Sequence, residues 1–175
     1  MLYTGKTRRS VSAKMVAFAV TMTAVANVLG FWSIPAGPIK IHFMQLPMIL
    51  AGLFAGPLAG GLVGFLGAFV MAFTTPSGLN PYIPFGNAIL GFLTGLFYSR
   101  LRKMKGPPVV GQVISVLGAF VVQAPYTYVS DVYLMLMPPA VVMGILLPTL
   151  FVEDIISVLI AHLIFYRIEA KKILH

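Results

Sequence analysis

The apolar segment Met44 to Phe73 constrains the fold most, because it holds thirty consecutive residues without a charged side chain. A membrane-spanning helix needs about 17 to 25 apolar residues, so this run is too long for one helix and tight for two. Gly56-Pro57 lies at its middle, and proline suits the first position of a helix. The run therefore predicts two consecutive helices, at 41–56 and 57–74.

The composition agrees with a bilayer as the natural solvent. Hydrophobic residues make up 59% of the chain, charged residues only 9%, and the mean hydropathy is +0.96, whereas soluble domains carry about 25% charged residues. With no cysteine and only three histidines, disulfides and Cys-ligated metal sites are excluded and a zinc enzyme is disfavoured. We expect neither a cofactor nor a bound metal.

The remaining apolar runs predict four more helices in a single transmembrane domain that covers residues 1–175. The first run is long and lacks a clear cleavage site, so it is read as a membrane helix and not as a signal peptide. The apolar stretch 131–147 is interrupted by Pro138-Pro139, which leaves a seventh span, an interfacial helix and a folded-back loop all open. The four further helices are predicted at 11–31, 85–101, 108–129 and 148–166.

The positions of the basic residues favour six helices over five or seven. With six spans, eleven of the twelve Lys and Arg residues fall on the side that holds both termini, and only Lys40 falls on the other. Cytoplasmic loops are enriched in Lys and Arg, so both termini are predicted to be cytoplasmic. The same rule explains the net charge of +8 without a nucleic-acid partner.

Small residues at four-residue spacing predict close packing between helices. Membrane helices approach each other closely where Gly or Ala recurs in this way. Helix 1 also carries Ala13-x-x-x-Ala17, which fits either internal packing or a smooth external face for a partner helix. The glycines are Gly52, Gly56, Gly60, Gly64, Gly91 and Gly95.

Two adjacent acids, Glu153 and Asp154, are the strongest candidates for binding a ligand. Ionisable groups inside a membrane are costly and usually functional. Adjacent residues on a helix point about 100° apart, so one pocket is not expected to hold both. The alternative is that both acids favour a helix N-terminus and its dipole. The sequence does not decide which acid faces a pocket.

Other polar side chains gather at the same outer level, while the inner half of the helices is expected to be almost purely apolar. This asymmetry predicts a pocket open to the outside and not a channel. Nucleotide-binding and hydrolase motifs are absent from the sequence, so we expect no enzyme activity. The further candidate binding residues are His42, Gln45, Asn80, Tyr82, Asn87, Gln123 and Tyr126.

Three other functions remain open on these residues. A small membrane-embedded enzyme would carry acids with metal or phosphate ligands near a membrane boundary. A structural membrane protein would tolerate changes at Glu153, Asp154 or Asn87 with effects on stability alone. An autonomous carrier would transport its solute in vesicles that contain this chain only.

The chain resembles the substrate-binding S components of energy-coupling factor (ECF) vitamin transporters. The resemblance rests on its length, its six predicted helices, Ala13-x-x-x-Ala17, and the phrase LPMILAGLFAGPLAG at 46–60. That phrase is similar to the turn between helices 2 and 3 in the riboflavin, folate and pantothenate subgroups.

The resemblance implies a binding subunit in a prokaryotic plasma membrane, with an energising transmembrane subunit and two ABC-type ATPases as partners. It implies that Ala13 and Ala17 meet the energising subunit, and that helices 4 to 6 build a pocket for a vitamin or a precursor. Riboflavin-type members often carry Asn and Lys near the start of helix 6, where this chain has Glu153-Asp154.

That difference puts riboflavin in doubt and favours a neutral or cationic heteroaromatic substrate, such as a thiamine precursor or a pyridoxine-like compound. An anionic substrate such as pantothenate would need Lys40 or His42.

Overall fold

The computed structural model describes residues 13–36, 39–75, 78–103 and 106–173. Two π-helical turns, Ser130–Leu134 and Val142–Leu146, extend the helices on either side of them. The α-helical elements of the described residues are α1 (Ala13–Phe31), α2 (Gln45–Ala55), α3 (Pro57–Gly67), α4 (Phe69–Thr74), α5 (Ile83–Leu101), α6 (Pro108–Val129), α7 (Pro139–Val141) and α8 (Leu147–Ile173). Because α3 and α4 form one span and α7 runs through a π-turn into α8, these elements make six helices, as predicted.

Four of these helical stretches are long and apolar enough to cross a membrane. The fifth apolar helix, α2, has 11 residues, about 16 Å at 1.5 Å per residue, which is well short of a bilayer core of about 30 Å. The four candidates are Ala13–Phe31, Pro57–Thr74, Pro108–Leu134 and Pro139–Arg167.

A short hairpin precedes α2 where the sequence predicts the first turn of a helix. Strands β1 (Ile34–Ala36) and β2 (Ile39–Ile41) pair antiparallel, with Pro35 opposite Lys40, and α2 begins only at Gln45. Isoleucines at 34, 39 and 41 favour a strand, and Pro35 is tolerated because it lies at the edge of the sheet. The hairpin therefore moves the start of this helix from the expected residue 41 to residue 45.

The stretch 131–147 is mostly helical and lengthens its two neighbours. Residues Ser130–Leu134 continue α6, and Pro139 begins the helix that becomes α8, so only 135–138 are non-helical. The helix predicted at 148–166 thus starts nine residues earlier. Pro148 is accommodated inside it because the wider π-turn directly before it relaxes the hydrogen-bond pattern that a proline interrupts.

The spaced glycines let α2, α3 and α5 touch backbone to backbone, which confirms the predicted close packing. A Cβ atom on Gly60 would overlap the carbonyl group of Gly91, and one on Gly95 would lie 2.7 Å from the carbonyl carbon of Gly56. Residues larger than glycine would force these helices apart. This contact fixes α5, and with it the N-terminal turn of α5 that faces the cavity described next.

Candidate functional site

A cavity opens at the end of the bundle opposite Arg100 and Arg167. Its wall is formed by the segment just before α2, the C-terminal end of α4, the loop before α5, the N-terminal ends of α5 and α8, and the C-terminal end of α6 with its π-turn. The space open to the centre of a water molecule is about 100 Å³, several times the roughly 10–15 Å³ that one water needs on this measure. The cavity can therefore hold a small organic molecule.

Glu153 is fixed in the cavity wall by two hydrogen bonds from the chain before and within α2. The backbone N–H of His42 donates to Oε1 at 2.6 Å, and Gln45 Nε2 donates to Oε2 at 2.8 Å. The ring of His42 lies beside them, with Nδ1 3.7 Å from Glu153 Oε2 and 3.3 Å from Gln45 Oε1. A carboxylate has about four acceptor positions, so Glu153 is oriented and retains acceptor capacity toward the cavity.

A second carboxylate, Asp131, lies in the wall on the π-turn after α6. Asn80 Nδ2 donates to Asp131 Oδ1 at 2.8 Å, and Asn80 Oδ1 accepts from the Tyr82 N–H at 3.1 Å. The Tyr126 hydroxyl donates to the Tyr82 carbonyl at 3.2 Å. These bonds tie the loop before α5 to the end of α6, so this part of the wall is held as one unit.

Two amide side chains also offer oxygen atoms to the cavity. The Asn87 amide nitrogen donates to the Ile83 carbonyl at 2.9 Å, so its oxygen and its second N–H remain for a ligand. Gln123 is buried, and its Oε1 has no hydrogen-bond partner in the protein. Among the described lining residues there is no Lys or Arg. The wall is therefore rich in acceptors and carries no fixed positive charge.

The structure brings most of the predicted binding residues together. Gln45 supports Glu153 from behind without lining the cavity, whereas Asp154 points away from it into the bundle. Glu153 and Asp154 point in different directions because neighbours on a helix lie about 100° apart around its axis. The predicted binding residues that line the cavity are His42, Asn80, Tyr82, Asn87, Gln123, Tyr126 and Glu153.

Sequence reasoning did not choose Asp131 as a binding residue, although it lines the cavity. The signal was available, because Asp131 is one of only four acidic residues in the chain and lies inside an apolar stretch. Three methionines also line the cavity, and their flexible thioethers suit contact with an aromatic ring. They are Met44, Met71 and Met137.

The expectation that the inner half is almost purely apolar is wrong. Several fully buried polar side chains lie between the cavity and the opposite end of the bundle. The pattern was missed because each of them stands singly in an apolar run, where hydropathy averages conceal it. They are Thr94, Gln112, Ser115 and Ser157.

Helix α1 lies against the bundle with little of its surface buried. Only Ala26 and Gly30 are buried in it, and Ala13 and Ala17 are exposed. Asn27 attaches α1 to the junction of α3 and α4, because its amide donates to the Leu66 carbonyl at 2.9 Å and accepts from the Val70 N–H at 3.0 Å. The small residues at 13 and 17 thus form an outer face and not an internal contact.

Comparison with solved structures finds the same fold. An S component of a bacterial ECF transporter matches with a TM-score of 0.69 at 22% identity, covering 90% of this chain and 96% of the other. An S component for biotin from an ECF-type ABC transporter matches with a TM-score of 0.62 at 21% identity, covering 90% and 95%. No curated protein sequence gives a match.

The sequence profile described as "ECF transporter, substrate-specific component" matches residues 13–165, which is most of the chain. Both of these structures are S components of ECF transporters. The fold is that of an all-α, multi-pass membrane protein with six helices. The chain belongs to the family of substrate-specific components of ECF transporters.

Proposed function

We propose that the cavity is the substrate site of this S component and that its substrate is a neutral or cationic heteroaromatic vitamin or vitamin precursor. The observation that carries this proposal is the wall itself, with carboxylates at Glu153 and Asp131 and no Lys or Arg among its described residues. A carboxylate substrate would meet two acids and no Lys or Arg, and the ring of His42, which could carry a positive charge, already lies 3.7 Å from Glu153 Oε2. Binding an anion is therefore unfavourable in this site of low dielectric constant.

The hydrogen-bond groups narrow the substrate class further. Glu153, Asp131, Asn87 and Gln123 present acceptor oxygens, so the substrate should carry several N–H or O–H donors. Tyr82 and Tyr126 offer ring faces, and three methionines line the same space, as suits a flat ring. An aminopyrimidine precursor of thiamine or a pyridoxine-like ring satisfies both requirements, and riboflavin satisfies them in part. Biotin, which is bound by one structural neighbour, is a carboxylate and is not expected to bind.

The partner surface proposed for this chain is the exposed face of α1 that carries Ala13 and Ala17. We expect it to contact an energising transmembrane subunit, which in turn acts with two ABC-type ATPases. Small side chains permit the close helix approach that such a contact needs. The positive-inside pattern supports a cytoplasmic location for both termini, with the cavity open to the outside, and we expect the membrane to be a prokaryotic plasma membrane.

Ligand binding to the purified chain in detergent tests the proposal. Thermal unfolding should shift upward with an aminopyrimidine, pyridoxine or riboflavin, because a ligand that binds only the folded state stabilises it. Biotin and pantothenate serve as anionic controls of similar size and should give no shift. A shift with a carboxylate vitamin and with none of the heteroaromatic compounds would contradict the proposed substrate class.

A further inference from the structure

The two acids of the cavity wall, Glu153 and Asp131, differ in how the protein compensates their charge. Both oxygens of Glu153 accept a hydrogen bond, and the ring of His42 lies 3.7 Å from Oε2. Asp131 is 5% exposed, and its one side-chain partner among the described residues is the neutral amide of Asn80, on Oδ1. No described Lys, Arg or His forms an ion pair with Asp131. Its second oxygen, Oδ2, therefore remains as an acceptor for a ligand.

A chain of hydrogen bonds joins Asp131 to two aromatic residues of the wall. Asn80, the donor to Asp131, accepts from the Tyr82 N–H, and the Tyr126 hydroxyl donates to the Tyr82 carbonyl. The Tyr126 ring packs against the first turn of α5, since a Cβ atom on Gly86 would lie 3.3 Å from it. All five residues line the cavity. The acid and the two phenol rings thus belong to one region of its wall.

Two helix ends meet the cavity in this region, and their electrostatics favour a positive ligand charge. Asp131 lies in the last turn of the helical stretch Pro108–Leu134, where a helix carries a partial negative charge. The other helix end is the first turn of α5. Its N–H groups at 82–86, where Pro84 has none, are already bonded within the protein, so this turn has no N–H left for a bound anion.

A buried carboxylate with a single neutral donor is stable only when a positive charge compensates it. A protonated amine on the ligand would supply that charge at Asp131 Oδ2. Hydrogen bonds between charged groups are shorter and roughly twice as strong as those between neutral groups. Tyrosine rings also attract a cation that lies over their face, so Tyr82 and Tyr126 suit the same group. Glu153, which has donors on both oxygens, does not need a charged partner.

We propose that Asp131 selects the substrate by charge: the cavity takes a heteroaromatic ring with a protonated amine substituent, and this amine donates to Asp131 Oδ2. Neutral donors of the ring face Glu153. The inference rests on the proposed function and narrows its substrate class from neutral or cationic compounds to cationic ones. Asp131 is then a specificity-determining residue, whereas Glu153 contributes to the binding of charged and neutral rings alike.

Equilibrium binding to the full chain in detergent at neutral pH tests the inference with two matched pairs of probes. One pair is pyridoxamine and pyridoxine, and the other is the aminomethyl and the hydroxymethyl derivative of the thiamine pyrimidine. Within a pair the ring is the same, but the aminomethyl group is protonated and the hydroxymethyl group is neutral. The aminomethyl compound of at least one pair should bind roughly tenfold more tightly than its partner, because its hydrogen bond joins two charged groups.

Asp131→Asn removes the charge but keeps an oxygen that can accept from Asn80. In this variant the ratio of the two affinities should fall below about threefold. Glu153→Gln is the matched control, because it removes the charge of the other acid in the same wall. It should weaken the binding of both compounds of a pair and preserve their ratio. The comparison within a pair in the unchanged chain does not depend on the folding of either variant.

Equal affinities within both pairs in the unchanged chain would overturn the inference and leave the proposed function intact. A preference for the aminomethyl compound that persists in Asp131→Asn would do the same. Binding of none of the four probes would also overturn the inference. Binding of a carboxylate vitamin alone would contradict the proposed function as well.

Discussion

Gln45 and Glu153, 108 residues apart in sequence, are joined by a hydrogen bond of 2.8 Å from Nε2 to Oε2. The bond links the first turn of α2 to α8 behind the cavity. Both side chains are buried, so their polar groups satisfy each other where water is scarce. The orientation of Glu153 in the cavity thus depends on Gln45, which lies outside the cavity wall.

Replacing Gln45 with leucine should lower the stability of the ligand-free protein. The change preserves approximate size but leaves Glu153 Oε2 without its amide donor, a loss of about 1–3 kcal/mol for a buried group. Chemical or thermal unfolding in detergent measures it. Gln123→Leu is the matched control, since Gln123 Oε1 has no partner in the protein. It should cost less stability while weakening substrate binding. Equal losses of stability in both variants would contradict the supporting role of Gln45.

Glu153→Gln should weaken substrate binding by more than tenfold, because a hydrogen bond to a charged acceptor contributes about 1.5–3 kcal/mol. Equilibrium binding to the purified chain measures the change. Asp154→Asn makes the equivalent substitution one residue away, on a side chain that does not line the cavity. We expect it to alter affinity less than threefold. The reverse order of effects would place the substrate elsewhere.

These two acids show where sequence reasoning reached its limit. The apolar runs predicted the helices, because length and hydropathy are local properties of the chain. The choice between Glu153 and Asp154 depends on how α8 is rotated against its neighbours, and that rotation is set by tertiary contacts such as the bond to Gln45.

Tertiary contacts also explain why some helix ends in the structure differ from the predicted ones. The strand at Ile39–Ile41 forms by pairing with Ile34–Ala36, a contact that a hydropathy pattern does not contain. Asp131 became part of the cavity because a π-turn extends α6. By contrast, glycines at four-residue spacing predicted close packing between helices, and the backbone contact of Gly60 with Gly91 confirms it.

Ala17→Trp should prevent assembly with the energising subunit while leaving substrate affinity unchanged. Ala17 is exposed on α1, so the larger side chain does not disturb the bundle but blocks close approach of a partner helix. Co-purification of the tagged chain with its partner subunit measures assembly. Val122→Trp, at an exposed position on α6, is the control and should assemble normally. Normal co-purification of Ala17→Trp would move the interface away from this face of α1.

Gly60→Ala should destabilise the bundle by about 1–3 kcal/mol, because the added methyl group would overlap the backbone of Gly91 in a close-packed interior. Gly144→Ala provides the comparison, since a Cβ atom there meets nothing within 4 Å. The unfolding free energies of the two variants in detergent decide the point. If Gly60→Ala is as stable as Gly144→Ala, the backbone contact between α3 and α5 is not close.

The central claim is that the cavity with Glu153 and Asp131 binds a donor-rich heteroaromatic vitamin or precursor. Native mass spectrometry of the chain, purified gently from a membrane in which the vitamins are present, tests it most directly. We predict one bound small molecule per chain, of vitamin-like mass and without a carboxylate group, and its loss from Glu153→Gln. A bound carboxylate vitamin, or a vitamin retained equally by Glu153→Gln, would contradict the account.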